Sequence, residues 1–148
     1  VVLSALSGTT NSLLEIGALF TANEDANANE KIGALQNHYD VFIHELFETV
    51  EGLQKGQEII ENEFQFIRSL GTIKPFTLKQ DKELVAEGEL LSTQLFAAYL
   101  QEKGDAAVLL PALDFMRIDA DNEPDFQAIK SNITATAERL ASKSRCRR

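Results

Sequence analysis

Positive charge, cysteine and long apolar runs are all scarce in this chain, and each scarcity closes off a class of function. Lys and Arg number 14 against 23 Asp and Glu, for a net charge of −9. Phosphate backbones and anionic lipid surfaces are bound through basic patches, so neither nucleic acid nor a membrane is an expected partner. The one cysteine, Cys146, forms no intramolecular disulfide, and without a Cys/His cluster it makes no zinc site. That usage fits a reducing, cytoplasmic setting. No apolar run approaches the roughly 20 residues that span a bilayer, and no signal-peptide pattern is present. His38 and His44 stand six apart, which does not place two metal ligands on one helix face, and no Glu/His spacing supports a carboxylate metal centre.

What is present is the composition of one ordinary domain. At 148 residues and 44% hydrophobic, the chain is long enough to bury a real core. Its positive charge is unevenly placed. Residues 142–148 hold Lys143, Arg145, Arg147 and Arg148, so the rest of the chain sits at −13. Residues 1–141 therefore read as the domain, and 142–148 as a basic tail, either disordered or foreign to the natural sequence. The chain begins at Val1, without methionine and inside an apolar run, and reads as a piece cut from a longer protein.

The rest is organised around the stretch Ser4-Ala5-Leu6-Ser7-Gly8-Thr9-Thr10-Asn11. Val1-Val2-Leu3 leads into it as a buried strand, and Ser12-Leu13-Leu14-Glu15-Ile16 leads out as a helix, Ser12 and Glu15 having capping-box spacing. Small residues at a strand-to-helix turn let a ligand approach the backbone, and the helix N-terminus behind them favours a carboxylate or phosphate. An ordinary, well-capped turn has the same composition. Further on, Ile32, Leu35, Tyr39, Phe42, Ile43, Leu46, Val50 and Leu53 recur at intervals of three and four. Ile59, Ile60, Phe64, Ile67 and Leu70 repeat the pattern after a break at Gly52 and Gly56. These runs predict a long helical hairpin over 30–54 and 57–70, after a polar loop over 21–30.

A further helix is expected from Asp81 to Gln101. Gly88 inside it costs about 1 kcal/mol relative to alanine, which marks close packing or a ligand. Glu89 follows between apolar residues, either at the solvent edge of the stripe or as a buried carboxylate in need of a partner. Ala106-Ala107-Val108-Leu109-Leu110, ended by Pro111, has the composition of a buried parallel strand. Asp121 to Asp125 then opens a last helix with a stripe of Phe126, Ile129, Ile133 and Leu140. The expected architecture is an α/β one dominated by about five helices, with two short parallel strands at 1–5 and 106–110.

Three segments together resemble the aspartokinases. Ser4-Ala5-Leu6-Ser7-Gly8-Thr9-Thr10-Asn11 looks like their second-strand Ser-Ala-x-x-Gly-x-Thr-Asn motif. Glu87-Gly88-Glu89-Leu90-Leu91-Ser92-Thr93 is similar to their Gly-Glu-Leu-x-Ser-Thr helix, with Glu87 where a histidine is often found. Phe115-Met116-Arg117-Ile118-Asp119 with Glu123-Pro124-Asp125 resembles the loop after the following strand. The likeness covers about residues 1–140. It implies an amino-acid-kinase fold that transfers phosphate from ATP to the side-chain carboxylate of L-aspartate, the first step towards lysine, threonine and methionine. It also implies that Thr10 and Glu89 contact the aspartate, that Ser4 and Gly8 line the same pocket, and that Glu89 pairs with a catalytic lysine. The family's Lys-Phe-Gly-Gly-Thr-Ser and Gly-Arg-Gly-Gly-Ser-Asp motifs are not in this sequence. The lysine is therefore expected upstream, ATP and Mg2+ are expected to be bound by the parent enzyme and not by this piece, and the piece alone is expected to be inactive. Its uncovered apolar edges could join two copies as a homodimer. The alternative expectation is a non-catalytic helical module that binds a partner through its apolar stripes.

Overall fold

The glycine of the turn decides where the first helix begins. Gly8 has φ +84°, the left-handed conformation that an L side chain rarely adopts, and it caps helix α1 (Thr9–Thr21). The expected capping box does not form: the helix starts three residues before Ser12, whose hydroxyl bonds back to the Gly8 carbonyl at 3.2 Å. Glu15 is thereby free to reach out of the helix, and it pairs with Lys31. The computed structural model describes residues 2–121 and 123–145, with no side-chain placement for 139–145. Val1 of the expected first strand, Leu140 of the expected last stripe, and Cys146, Arg147 and Arg148 of the tail thus fall outside the described residues or side chains.

The chain divides into two compact units, residues 1–108 and 109–148. In the first, α1 is followed by α2 (Asp25–Leu46), α3 (Val50–Gly71) and α4 (Leu78–Glu102). The polar stretch expected as a loop over 21–30 shrinks to three residues, because α2 already starts at Asp25, which Lys74 pairs at 2.7 Å. Each helix packs on two others in a closed cycle, α1 on α2, α2 on α3, α3 on α4 and α4 on α1. Most of the periodic positions point inward as their spacing requires: Leu13, Ile16, Ile32, Tyr39, Ile43, Phe64, Ile67, Leu84 and Leu91 are all fully buried, whereas Val50, expected on the same stripe, opens α3 and is 78% exposed. The hairpin is present, but it does not turn at the glycines. It turns at Phe47-Glu48-Thr49, where Thr49 accepts a hydrogen bond from the Gly52 N–H and so opens α3. Gly52 and Gly56 lie inside that helix, and the Phe47 ring rests on the space that a side chain at Gly56 would fill. The C-terminal end of α4 ties down the same corner. Glu102 accepts hydrogen bonds from the Thr49 N–H at 2.8 Å and its hydroxyl at 2.6 Å, which hold the Glu102 carboxyl below its ordinary range.

The two parallel strands are not formed. Among the described residues there is no strand, only an isolated antiparallel bridge between Ile118 and Pro124, so the described fold is all-α rather than α/β. An apolar run reports a tendency to be buried. A strand also requires a neighbour whose backbone groups face its own. Residues 2–6 run without regular structure into the α1 turn, with Val2 fully exposed. Residues 106–110 straddle the junction of the two units, and Val108 is 60% exposed.

The second unit holds the short helix α5 (Ala112–Phe115) and α6 (Phe126–Arg145). Between them, Asp119 accepts hydrogen bonds from the N–H groups of Asp121 and Glu123, while Asp125 caps α6 through the Ala128 N–H at 3.0 Å. Phe126, expected on the inner stripe, is 77% exposed. No described helix is long and apolar enough to cross a membrane.

Candidate functional site

Gly88 brings two distant stretches of sequence together. A side chain at that position would place its first carbon 2.9 Å from the Ala5 methyl, 3.2 Å from Thr9 Cγ2 and 3.4 Å from Leu13 Cδ1. Those separations are shorter than the ~3.5–4.0 Å at which carbon atoms rest, so only glycine lets α4 lie this close to the turn. The cost of a glycine inside a helix is thus explained by close packing.

Around this contact sits a buried polar cluster. Thr9 and Tyr39 are both fully buried, and their hydroxyls are 2.9 Å apart. Ser92, nearly buried, donates to the Gly88 carbonyl at 3.1 Å and lies within reach of the Tyr39 hydroxyl. Burial raises the Tyr39 pKa above its ordinary value, the Thr9 and Ser92 hydroxyls offset part of that, and the charge of Glu89 raises it further. Glu89 is therefore close enough to the cluster to be felt there. It is half-buried, while Ser4, Gly8 and Thr10 are exposed. Thr10 follows Thr9 and Glu89 follows Gly88, so two of the four expected pocket residues flank the turn–helix contact directly.

The third motif segment lies in the second unit. There Asp119 shapes its own loop, and Arg117 donates to the carbonyls of Leu113 at 3.1 Å and Met116 at 2.6 Å. Those bonds are structural. Both histidines are exposed. Among the described residues no three His, Cys, Asp or Glu side chains gather into a cluster able to hold a metal ion.

The carboxylate that the fold does bury is Glu87. It is 4% exposed, faces Glu63 of α3, and its Oε2 has no hydrogen-bond partner. Glu63 in turn accepts from Gln94 at 2.7 Å. Desolvation first, then the hydrogen bond and charge of Glu63 and the charge of Glu83, push the Glu87 carboxyl up to about 9. Glu87 is protonated at neutral pH as a result. Its place was readable from spacing: Leu84, Glu87, Leu91 and Leu95 form one helical stripe, and Glu89 lies off it. Tyr39 carried no such signal beyond a hydroxyl on an otherwise apolar stripe.

Sequence comparison supports the kinase likeness. Aspartokinase 1, chloroplastic, of Arabidopsis thaliana is 33% identical over 144 residues, 95% of this chain. The chain is similar to aspartokinases along nearly its whole length. Aspartokinase 3, chloroplastic, from the same plant is 29% identical over 142 residues, and Aspartokinase 2, chloroplastic, 28% over 142. The aspartokinase-like chain spans only about a quarter of these curated relatives, between 24% and 26% of their length. No protein-family model matches it, and no solved structure matches it.

Proposed function

We propose that this chain is part of an aspartate kinase and supplies one wall of its aspartate pocket. The reaction joins a side-chain carboxylate oxygen of L-aspartate to the γ-phosphorus of ATP, breaks the bond to the bridging oxygen, and releases ADP with 4-phospho-L-aspartate. The observation that carries the reading is the seating of the Ala5–Thr9 turn on Gly88, which sets Thr10 and Glu89 on neighbouring elements. The N-terminal end of α1 carries partial positive charge suited to a substrate carboxylate. Glu89 supplies negative charge for the substrate ammonium and for the catalytic lysine that the aspartokinase likeness implies. Lys31, Lys55, Lys74, Lys79 and Lys103 of this chain pair with Glu15, Glu58, Asp25, Glu83 and Glu48 rather than with Glu89. ATP and its Mg2+ are bound by other parts of the enzyme, and this chain alone transfers no phosphate.

Steady-state kinetics of the intact enzyme that carries this chain test the reading. Thr10→Val and Glu89→Gln are each expected to raise the aspartate KM about tenfold or more, with the ATP KM little changed, and the purified 148-residue chain is expected to give no turnover. An aspartate KM that stays put in both variants refutes the pocket.

A further inference from the structure

We infer that Tyr39 is a positioning residue for aspartate recognition, holding the Ser4–Thr10 turn in register with Glu89 through its hydrogen bond to Thr9. The inference rests on the pocket reading above and extends it to a residue on α2, outside the three motif segments Ser4–Asn11, Glu87–Thr93 and Phe115–Asp125.

Three observations lead there. Thr9 is the first residue of α1, directly between Gly8 at φ +84° and Thr10. Its hydroxyl does not cap the helix; it turns inward and meets the Tyr39 hydroxyl at 2.9 Å, with both side chains fully buried. Thr9 Cγ2 is also part of the surface on which Gly88 packs. One side chain is thus fixed from α2 by a hydrogen bond and from α4 by contact, and the turn can neither rotate nor slide without breaking one of them.

Tyr39 is itself immobile. Its ring packs edge-on against Phe64 of α3, with centroids 5.9 Å apart, and it is fully buried. The ring alone would satisfy the core. The hydroxyl is the part that requires another account, since a buried hydroxyl stabilises only modestly even when paired, whereas phenylalanine at this place would fill the same stripe. What the hydroxyl adds is direction: it selects one orientation of Thr9 and hence one placement of the Thr10 side chain and of the α1 N-terminus relative to Glu89. The group does not touch substrate, and its effect reaches the substrate through Thr9.

The test is kinetic and uses the intact enzyme. Tyr39→Phe and Thr9→Val are each expected to raise the aspartate KM about five- to tenfold, while the ATP KM and kcat move less than twofold. Because both remove the same bond, the double variant is expected to lose no more than either single one. Thr9→Ser, which keeps the hydroxyl, is expected to stay within twofold of the parent. A purely structural role for the bond would instead lower active enzyme concentration and leave the aspartate KM alone. Thr10→Val and Glu89→Gln run beside these variants. If they raise the aspartate KM and Tyr39→Phe does not, the positioning role is wrong and the pocket stands. If neither of them moves it, the pocket is wrong and the positioning role goes with it.

Discussion

Replacing Glu87 by glutamine is expected to make this fold less sensitive to alkali. The folded chain holds the Glu87 proton until about pH 9, whereas an unfolded chain releases it near the ordinary 4.5. Between those values the folded state binds more protons than the unfolded one. The stability contributed by the neutral carboxyl is therefore complete below the lower value and lost as pH rises through the upper one. Within that window the slope approaches about 1.4 kcal/mol per pH unit, so a rise from pH 6 to 9 removes on the order of 4 kcal/mol. The groups facing Glu87 are Glu63 from α3 and Glu83 from its own helix, both acidic, so no neighbouring cation relieves the charge as it forms. Glutamine keeps the shape and cannot ionise. Thermal melts of the parent chain and of Glu87→Gln across pH 6–9 should diverge, the variant melting roughly 10 °C higher at the alkaline end. Parallel curves for the two proteins would mean that Glu87 is ionised in the fold.

Gly88→Val is expected to be the most damaging single change near the candidate pocket. The added carbons collide with the Ala5 methyl and Thr9 Cγ2, and neither can rotate away, because the first is fixed to the backbone and the second is held by Tyr39. Either α4 or the turn must move, and overpacking of this kind costs typically ~1–3 kcal/mol. The proposed pocket is expected to suffer along with the fold, since a displaced turn shifts Thr10 relative to Glu89. Aspartate affinity of the intact enzyme should fall about a hundredfold, corresponding to roughly 2.7 kcal/mol. Smaller crowding in Gly88→Ala should be relieved by adding Ala5→Gly, which removes the methyl it strikes. Failure of that second change to restore binding would show that the close approach of the turn to α4 is not what matters.

The helices were legible because burial imposes a period on a helix, and Ile32, Leu35, Tyr39 and Ile43 keep it. The strands were not, for the converse reason. A run such as Ala106–Leu110 records the wish to be buried but says nothing of whether a partner strand lies beside it. The end of the hairpin was misplaced because Gly52 and Gly56 look like breakers, whereas they are the floor on which Phe47 packs. At the candidate site Gly88 announced close packing, and the fold places the turn against it. The buried carboxylate of α4 is Glu87, which lies on the stripe of Leu84, Leu91 and Leu95, while Glu89 lies off it and is half-buried. Nothing in the sequence linked Thr9 to Tyr39, thirty positions apart, since a hydrogen bond across a core leaves no periodic trace.

The central claim is that the turn and α4 together hold one aspartate molecule. A crystal structure of the intact enzyme with L-aspartate tests it most directly. Thr10 and Glu89 are expected within hydrogen-bonding distance of the same bound aspartate, or Glu89 of a lysine that itself touches it. Aspartate bound elsewhere, with Thr10 and Glu89 facing only solvent, would contradict it.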